Sequence, residues 1–270
     1  MPHLAILALA LLVPALLTIA ASPALRGFLR GTGSIRQTLS NAGVGILFLG
    51  SQLLLRGALI AVFAGVAALV PYKLPPQAPW SFVVAFLLLD FVYYVQHRIE
   101  HAAPLLWAIH SVHHQSRDYN LSVSFRVGVL ASLSTVVFHS TLALAGVSAT
   151  QYAAVVTVHG VLLFMLHART RFTLGPGRFF NAPVFHRVHH GADAACIDRN
   201  FGGVLLIFDR LFGTFAPYTR EPTFGVEGEA SPENPFEANA APVAALLLSL
   251  RQQPTLGKKL LALFVRPKKP

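Results

Sequence analysis

Eight of the twelve histidines lie in three short clusters whose spacing suits metal binding. Residues three and four apart on a helix share one face, so each cluster can direct its imidazoles toward a common point. Neutral imidazole is a common ligand for iron, zinc, copper and nickel. Three clusters of matching form therefore predict a metal centre rather than histidines at a wet surface. The clusters are His97-Arg-Ile-Glu-His101, His110-Ser-Val-His113-His114 and His186-Arg-Val-His189-His190.

Two further histidines could belong to this centre. His167 ends an apolar segment at the predicted depth of the clusters, and we interpret it as a ninth ligand. His159 lies about 12 Å deeper along a helix axis. It is a candidate for an additional ligand or for a hydrogen-bond partner of one. Nine imidazoles exceed the ligands that one ion takes, so their number predicts two ions with open coordination positions.

The composition indicates an integral membrane protein. Of the 270 residues, 54% are hydrophobic and 12% are charged, which is far from the usual composition of soluble proteins. The net charge of +10 is spread over loops and the C-terminal end rather than along one helix, which favours anionic lipid over nucleic acid as its partner. The single cysteine, Cys196, excludes an internal disulfide.

Apolar runs predict an all-α fold with about five transmembrane helices, at 4–21, 41–70, 80–96, 127–147 and 151–167. The first run could also be a cleaved signal, and we interpret it as a span. Arg56 in the second run must reach the interface, pair, or mark a break. The basic residues lie mostly in alternate connections, so five crossings place a histidine-rich cap on the cytoplasmic side.

Other metal-dependent functions remain open at this point. A zinc metalloprotease motif needs a glutamate directly after its first histidine, and Arg98 occupies that position after His97. This departure disfavours a membrane zinc hydrolase without excluding it. A metal transporter would place acidic or histidine residues at the midplane of several spans, where this chain offers few. Redox chemistry by the metal is the simplest interpretation.

The histidine clusters with their flanking residues resemble the fatty acid hydroxylase and sterol desaturase superfamily. The resemblance covers roughly residues 80–215. It divides the chain into N-terminal transmembrane helices (1–78), a hydroxylase-like domain (79–215) and a C-terminal tail in the cytoplasm or on the membrane surface (216–270). The matching segments are Asp90-Phe-Val-Tyr-Tyr-Val-Gln-His97, Trp107-Ala-Ile-His110, Asn181-Ala-Pro-Val-Phe-His186, Asn200-Phe-Gly-Gly and Phe208-Asp-Arg-Leu-Phe-Gly-Thr214.

The resemblance implies a di-iron oxygenase, in which zinc could replace iron in a purified sample. Such an enzyme uses O2 and electrons from a separate reductase, ferredoxin or cytochrome-type donor to hydroxylate or desaturate a lipid. Hydroxylation is our prediction, and a sterol, a fatty acyl lipid and a carotenoid are all open as substrates. The implied metal ligands are His97, His101, His110, His113, His114, His167, His186, His189 and His190.

Several polar residues are candidates for supporting the ligands by hydrogen bonds. Asp90 lies within an apolar segment, where a carboxylate is costly unless it bonds inward, so we expect it to orient an imidazole or to pair with an arginine. Asp193, Asp198, Asn200 and Asp209 follow the third cluster and are candidates for the same role, with surface ion pairs as the alternative.

Overall fold

The computed structural model describes residues 34–171, 177–229 and 231–265. Within these ranges the only extended pairings are two isolated bridges, so the predicted all-α class is confirmed there. A 3₁₀ helix, Leu121–Phe125, accompanies the α-helices. The α-helices are α1 (Ile35–Ala68), α2 (Pro79–Ala102), α3 (Pro104–His114), α4 (Ala131–His139), α5 (Thr141–Leu144), α6 (Ala149–Leu166), α7 (Pro183–His189), α8 (Ile207–Leu211), α9 (Pro235–Arg251) and α10 (Leu256–Phe264).

Three of these helices, α1, α2 and α6, are long and apolar enough to cross a membrane. They correspond to the second, third and fifth predicted spans. Helix α1 has 34 residues and continues past Arg56 without a break, and the arginine is exposed. At about 1.5 Å per residue it is longer than the roughly 30 Å hydrocarbon core, so the extra turns can extend beyond the membrane.

The fourth predicted span, 127–147, does not form a membrane-length helix. It contains the short helices α4 and α5, which together cover only about 20 Å and fall short of a bilayer. The hydroxyls of Ser140 and Thr141 bond back to the carbonyls of Val136 and Phe138, at 2.6 Å each, where one helix ends and the next begins. Such back-bonding bends helices, and hydropathy alone does not detect it.

The five-span topology is therefore not established. The first predicted span, 4–21, lies outside the described residues, and the structure offers three candidate spans. The placement of the histidines on the cytoplasmic side rests on the distribution of basic residues among five crossings, so it stays a prediction.

A hydrophobic core joins α1, α2, α5 and α6. Phe63 of α1 stacks on Tyr152 of α6 with their ring centroids 4.9 Å apart. Helix α6 begins with a capping box between Ser148 and Gln151, and the amide of Gln151 donates to Ser81 of α2 at 2.8 Å. These contacts hold α2 and α6 together. The buried core residues are Phe63, Ala85, Leu89, Leu142, Ala143, Val147 and Val155.

The segment after residue 216 packs against the histidine-bearing helix α3 and against α1. Gln115, which follows α3, donates to the carbonyl of Ala238 in α9 at 3.0 Å. Asn239 of α9 accepts from the backbone of Val129 at 2.9 Å. The position of a domain boundary at 216 stays a prediction.

Candidate metal centre

The structure brings all nine predicted histidine ligands into two adjacent groups. Within each group, every residue offers one ring nitrogen, and these nitrogens all lie within 4.8 Å of one another. The groups adjoin, because the ring centroids of His114 and His190 are 4.4 Å apart. Group one consists of His97, His101, His110, His114 and His189, and group two consists of His113, His167, His186 and His190.

Helical geometry determines which histidines of one cluster stay together. Three pairs of histidines four residues apart stay together, one pair from each cluster. The remaining histidine of the second cluster, His113, and that of the third, His189, cross to the other group, since neighbours in a helix point about 100° apart. The expectation that each cluster converges on one point is therefore correct only for the first cluster.

Short distances between imidazole nitrogens indicate that the groups fit metal ions. The Nε2 atoms of His97 and His110 lie 3.1 Å apart, and those of His113 and His167 lie 3.2 Å apart. In all four rings the Nδ1 atom already faces a carbonyl or carboxylate oxygen, which leaves a lone pair on Nε2. Two facing lone pairs repel unless a cation lies between them. The separation suits neighbouring ligands about 2.1 Å from one ion.

In group one, oxygen acceptors fix each of four rings through Nδ1. Backbone carbonyls bond His97 (Phe201 O, 2.9 Å) and His189 (Arg199 O, 2.9 Å). Carboxylates bond the other two, Glu100 to His110 at 3.0 Å and Asp198 to His101 at 3.2 Å. Such partners fix the tautomer that presents Nε2 to a metal and make that nitrogen more basic. The Nε2 of His189 is buried and has no hydrogen-bond partner, as expected of a ligand.

A left-handed turn after the third cluster supplies two of these acceptors. Asp198 and Asn200 have φ values of 56° and 55°, and few non-glycine residues other than Asn and Asp adopt this conformation readily. The turn places the Asp198 carboxylate at His101 and the Arg199 carbonyl at His189. Asn200 stabilises the turn, because its side-chain amide donates to the backbone carbonyls of Phe185 and Ala216 at 3.0 and 2.8 Å.

Group two is supported by backbone carbonyls. The Nδ1 of His113 donates to the carbonyl of Arg126 at 2.9 Å, and that of His167 donates to the carbonyl of Leu163 at 3.2 Å. The Nδ1 of His186 is buried with no hydrogen-bond partner. The described contacts include no carboxylate bonded to this group.

Burial keeps the imidazoles in the neutral form that a metal requires. Desolvation, with repulsion between neighbouring imidazoles, holds the pKa values of His113 and His114 well below 6.5. The same causes lower those of His186, His189 and His190. Burial lowers the pKa of His167 to about 4. These rings therefore offer lone pairs at neutral pH, and protons compete weakly with a cation.

Comparison with known proteins gives the family of this chain. The family model of fatty acid hydroxylases matches residues 82–214, which include all nine histidines. The chain belongs to the fatty acid hydroxylase family. The relatives that it resembles include proteins named alkylglycerol monooxygenase and ornithine lipid hydroxylase. No solved structure shows a significant match.

Three relatives indicate how far the likeness extends. Human alkylglycerol monooxygenase is 40% identical over 167 residues, which are 62% of this chain and 37% of the relative. The Xenopus tropicalis protein of the same name is 32% identical over 196 residues, which are 72% of this chain and 44% of the relative. Ornithine lipid hydroxylase OlsE of Rhizobium tropici is 26% identical over 163 residues, which are 58% of this chain and 49% of the relative. The chain spans less than half of each relative.

Asp90 of this hydroxylase-family chain anchors a loop beside group one. Its carboxylate is fully buried and accepts from His159 at 2.7 Å and from the backbone of Val204 and Leu205 at 2.7 and 2.9 Å. His159 thus bonds Asp90 and lies outside both histidine groups. The anchored loop contains Phe201, whose carbonyl fixes His97, so Asp90 acts on that ring through the loop.

Two glycines let this loop approach closely. A Cβ on Gly203 would lie 2.5 Å from Asp90 Oδ1, and one on Gly202 would lie 2.7 Å from Asp209 Oδ2. Asp209 accepts from the backbone of Phe201 and Gly202 at 2.8 and 2.7 Å. Asp209 therefore stabilises the same loop as Asp90 does.

The remaining candidate, Asp193, lies in the segment that follows group two. Its carboxylate accepts from the backbone and hydroxyl of Thr223, at 3.1 Å each. This contact holds two loops together, and Asp193 itself bonds none of the nine histidines. Asp90, Asn200 and Asp209 bond loop backbone, and of these three only Asp90 bonds a histidine, His159.

Sequence reasoning did not assign two supporting residues. Glu100 lies within the first cluster, and its position three residues after His97 puts it on the same helix face. It bonds His110, Gln96 and Ser134 in the structure. Arg126 supplies the carbonyl that fixes His113, and no sequence signal identifies a backbone acceptor.

A cavity of about 470 Å³ borders both groups. His101, His114 and His189 of group one and His190 of group two form one wall. The size is typical of small-molecule sites. The cavity connects the histidines with the outside of the protein.

Proposed function

We propose that the chain is a membrane-bound hydroxylase that holds two iron ions and inserts one oxygen atom of O2 into a C–H bond of a lipid. The observation that carries this proposal is the presence of two adjacent groups of buried imidazoles whose lone pairs face one another. Acyl transfer or hydrolysis at one zinc ion would need only three or four ligands. Nine imidazoles suit two ions and redox chemistry.

The nine histidines would hold the ions, five at one position and four at the other. When bound, iron supplies the activation of O2, so that R–H, O2, two electrons and two protons give R–OH and water. The protein orients the imidazoles by their Nδ1 contacts and excludes water from the buried rings. Glu100 and Asp198 hold protons on the Nδ1 atoms of His110 and His101, which keeps each Nε2 free for the metal.

The setting of the groups supports a lipid substrate. His97 and His101 lie in the last turns of α2, one of the three helices that can cross a membrane. The named activities of the relatives, on an alkylglycerol and on ornithine lipid, favour a lipid with a polar headgroup and favour hydroxylation over desaturation. The electrons come from a separate donor protein.

The test uses the full chain purified in lipid nanodiscs. We expect about two iron ions per chain and, with a lipid extract, 18O2 and a chemical or protein reductant, a product heavier by one labelled oxygen atom. A product lighter by two hydrogen atoms would replace hydroxylation by desaturation. One zinc ion with O2-independent hydrolysis of a lipid ester would refute the proposal in favour of a zinc hydrolase.

Metal identity after expression can depend on supply, because zinc binds imidazole well. Iron reconstitution of metal-depleted protein provides the control. Activity that returns with Fe²⁺ and not with Zn²⁺ supports the proposal, and the opposite result contradicts it.

A further inference from the structure

The cavity beside the histidines has an unusual charge for this protein. The chain has 21 lysines and arginines against 11 acidic residues. Among the residues that the structure describes, the lining of the cavity nevertheless includes Asp198, Glu227 and Glu229 and no lysine or arginine. Three carboxylates without a lysine or arginine among the described lining residues, in a strongly basic protein, favour a cationic occupant.

An indole forms part of the same wall. Trp107 lines the cavity, and its ring centroid lies 4.9 Å from that of His101 and 5.6 Å from that of His114. Tryptophan is the best aromatic partner for ammonium groups, and aromatic residues recognise choline-like cations in this way. The wall also contains His189, whose Nε2 is buried and has no hydrogen-bond partner. Trp107 and the proposed metal position therefore border the same cavity.

A basic residue lies just beyond this cavity. Arg117 lines an adjoining cavity of about 680 Å³, which shares Gly225, Val226 and Glu227 with the first. A headgroup that carries an ammonium and an anionic group can therefore place its positive end in the first cavity and its negative end toward Arg117.

We propose that the cavity lined by Trp107, Asp198 and Glu227 binds the ammonium end of a zwitterionic lipid headgroup. The inference rests on the proposed lipid hydroxylase and narrows its substrate class. Because the cavity borders the histidines themselves, the reacting carbon lies close to the headgroup rather than at the far end of an acyl chain.

The experiment follows binding through tryptophan fluorescence, which needs neither O2 nor electrons. The chain has two tryptophans, Trp80 and Trp107, so Trp80→Phe leaves Trp107 as the single reporter. Trp80 is 55% exposed, which makes this change mild. The full chain in nanodiscs is titrated with dihexanoyl phosphatidylethanolamine and with dihexanoyl phosphatidylglycerol, which share chains and phosphate and differ in the ammonium group.

We expect saturable binding of the ethanolamine lipid with a Kd at least about fivefold below that of the glycerol lipid. Glu227→Gln should raise the ethanolamine Kd about three- to fivefold at low salt and less at high salt. The matched control is Glu233→Gln, an exposed glutamate outside the lining of both cavities, which should leave Kd unchanged.

Equal or tighter binding of the glycerol lipid would overturn the inference, as would no response to either lipid or equal effects of the two glutamate variants. The 18O2 assay separates this outcome from failure of the proposed function. An ¹⁸O-labelled product from an uncharged lipid, without ammonium preference, would keep the hydroxylase and reject the headgroup site.

Discussion

The two histidine groups are built from the same clusters but are supported differently. In group one, Glu100 and Asp198 bond two of the five rings directly. In group two, the described contacts to Nδ1 are backbone carbonyls, and the Nδ1 of His186 has none. A carboxylate partner makes an imidazole a stronger ligand. Group one therefore suits a tightly held ion, and group two, with four ligands, leaves more coordination positions for external molecules.

Replacing one ligand in each group tests the comparison most strongly. We expect His189→Ala to remove the ion of group one and His186→Ala to remove that of group two, since each deletes a buried ligand. Each variant should bind about one metal ion per chain and lose at least about 100-fold in activity. Metal analysis and the 18O2 assay provide the measurements.

His139→Gln is the control, because His139 is buried, bonds Tyr152 and lies outside both groups. It should retain two ions. If His186→Ala and His189→Ala each lost both ions, the two groups would form one cooperative site, and the distinction between them would be wrong.

Replacing Glu100, the buried carboxylate that bonds His110 of group one, should have the next largest effect on metal binding. Glu100→Gln removes the charge that polarises His110 and keeps a side chain of similar size. We expect metal affinity at group one to fall about 10- to 100-fold, while group two changes little. Competition with a graded series of chelators measures both affinities. Glu221→Gln is the control, because Glu221 bonds Arg187 and Arg169 instead of a histidine. Equal losses in the two variants would contradict the assigned role.

The loop behind His97 offers an indirect test of group one. In Gly203→Ala the new Cβ would collide with Asp90 and His159, so the loop must shift and move the Phe201 carbonyl. We expect a loss of about 1–3 kcal/mol in stability and weaker metal binding at group one. Thermal unfolding and metal analysis measure these effects. Gly160→Ala is the control, since its Cβ would meet nothing within 4 Å on α6.

Replacing Asp198, the exposed carboxylate that bonds His101 of group one, should have the smallest effect on metal affinity. Asp198→Asn keeps the left-handed backbone, which asparagine tolerates, and removes only the charge beside His101. The Asp198 side chain is 53% exposed, so water already weakens its effect, and we expect metal affinity to fall less than about tenfold. Asp193→Asn is the matched control and should not change metal binding. A loss of metal affinity as large as that of Glu100→Gln would show that the burial of a carboxylate does not determine its contribution to metal binding.

Local spacing singled out eight of the nine histidines without tertiary information, and the end of an apolar segment indicated the ninth, His167. Four-residue spacing is a property of one helix turn, and it keeps His97 with His101, His110 with His114 and His186 with His190 in the structure. Apolar composition likewise identified the three helices of the described residues that could span a membrane. These features could be predicted because they depend on neighbours along the chain.

Only the tertiary structure decided how these parts combine. The crossing of His113 and His189 between groups depends on how α3 and α7 face one another. The carbonyls of Arg126, Arg199 and Phe201 become histidine partners through folding, since every residue carries the same backbone acceptor and no side-chain pattern marks those used.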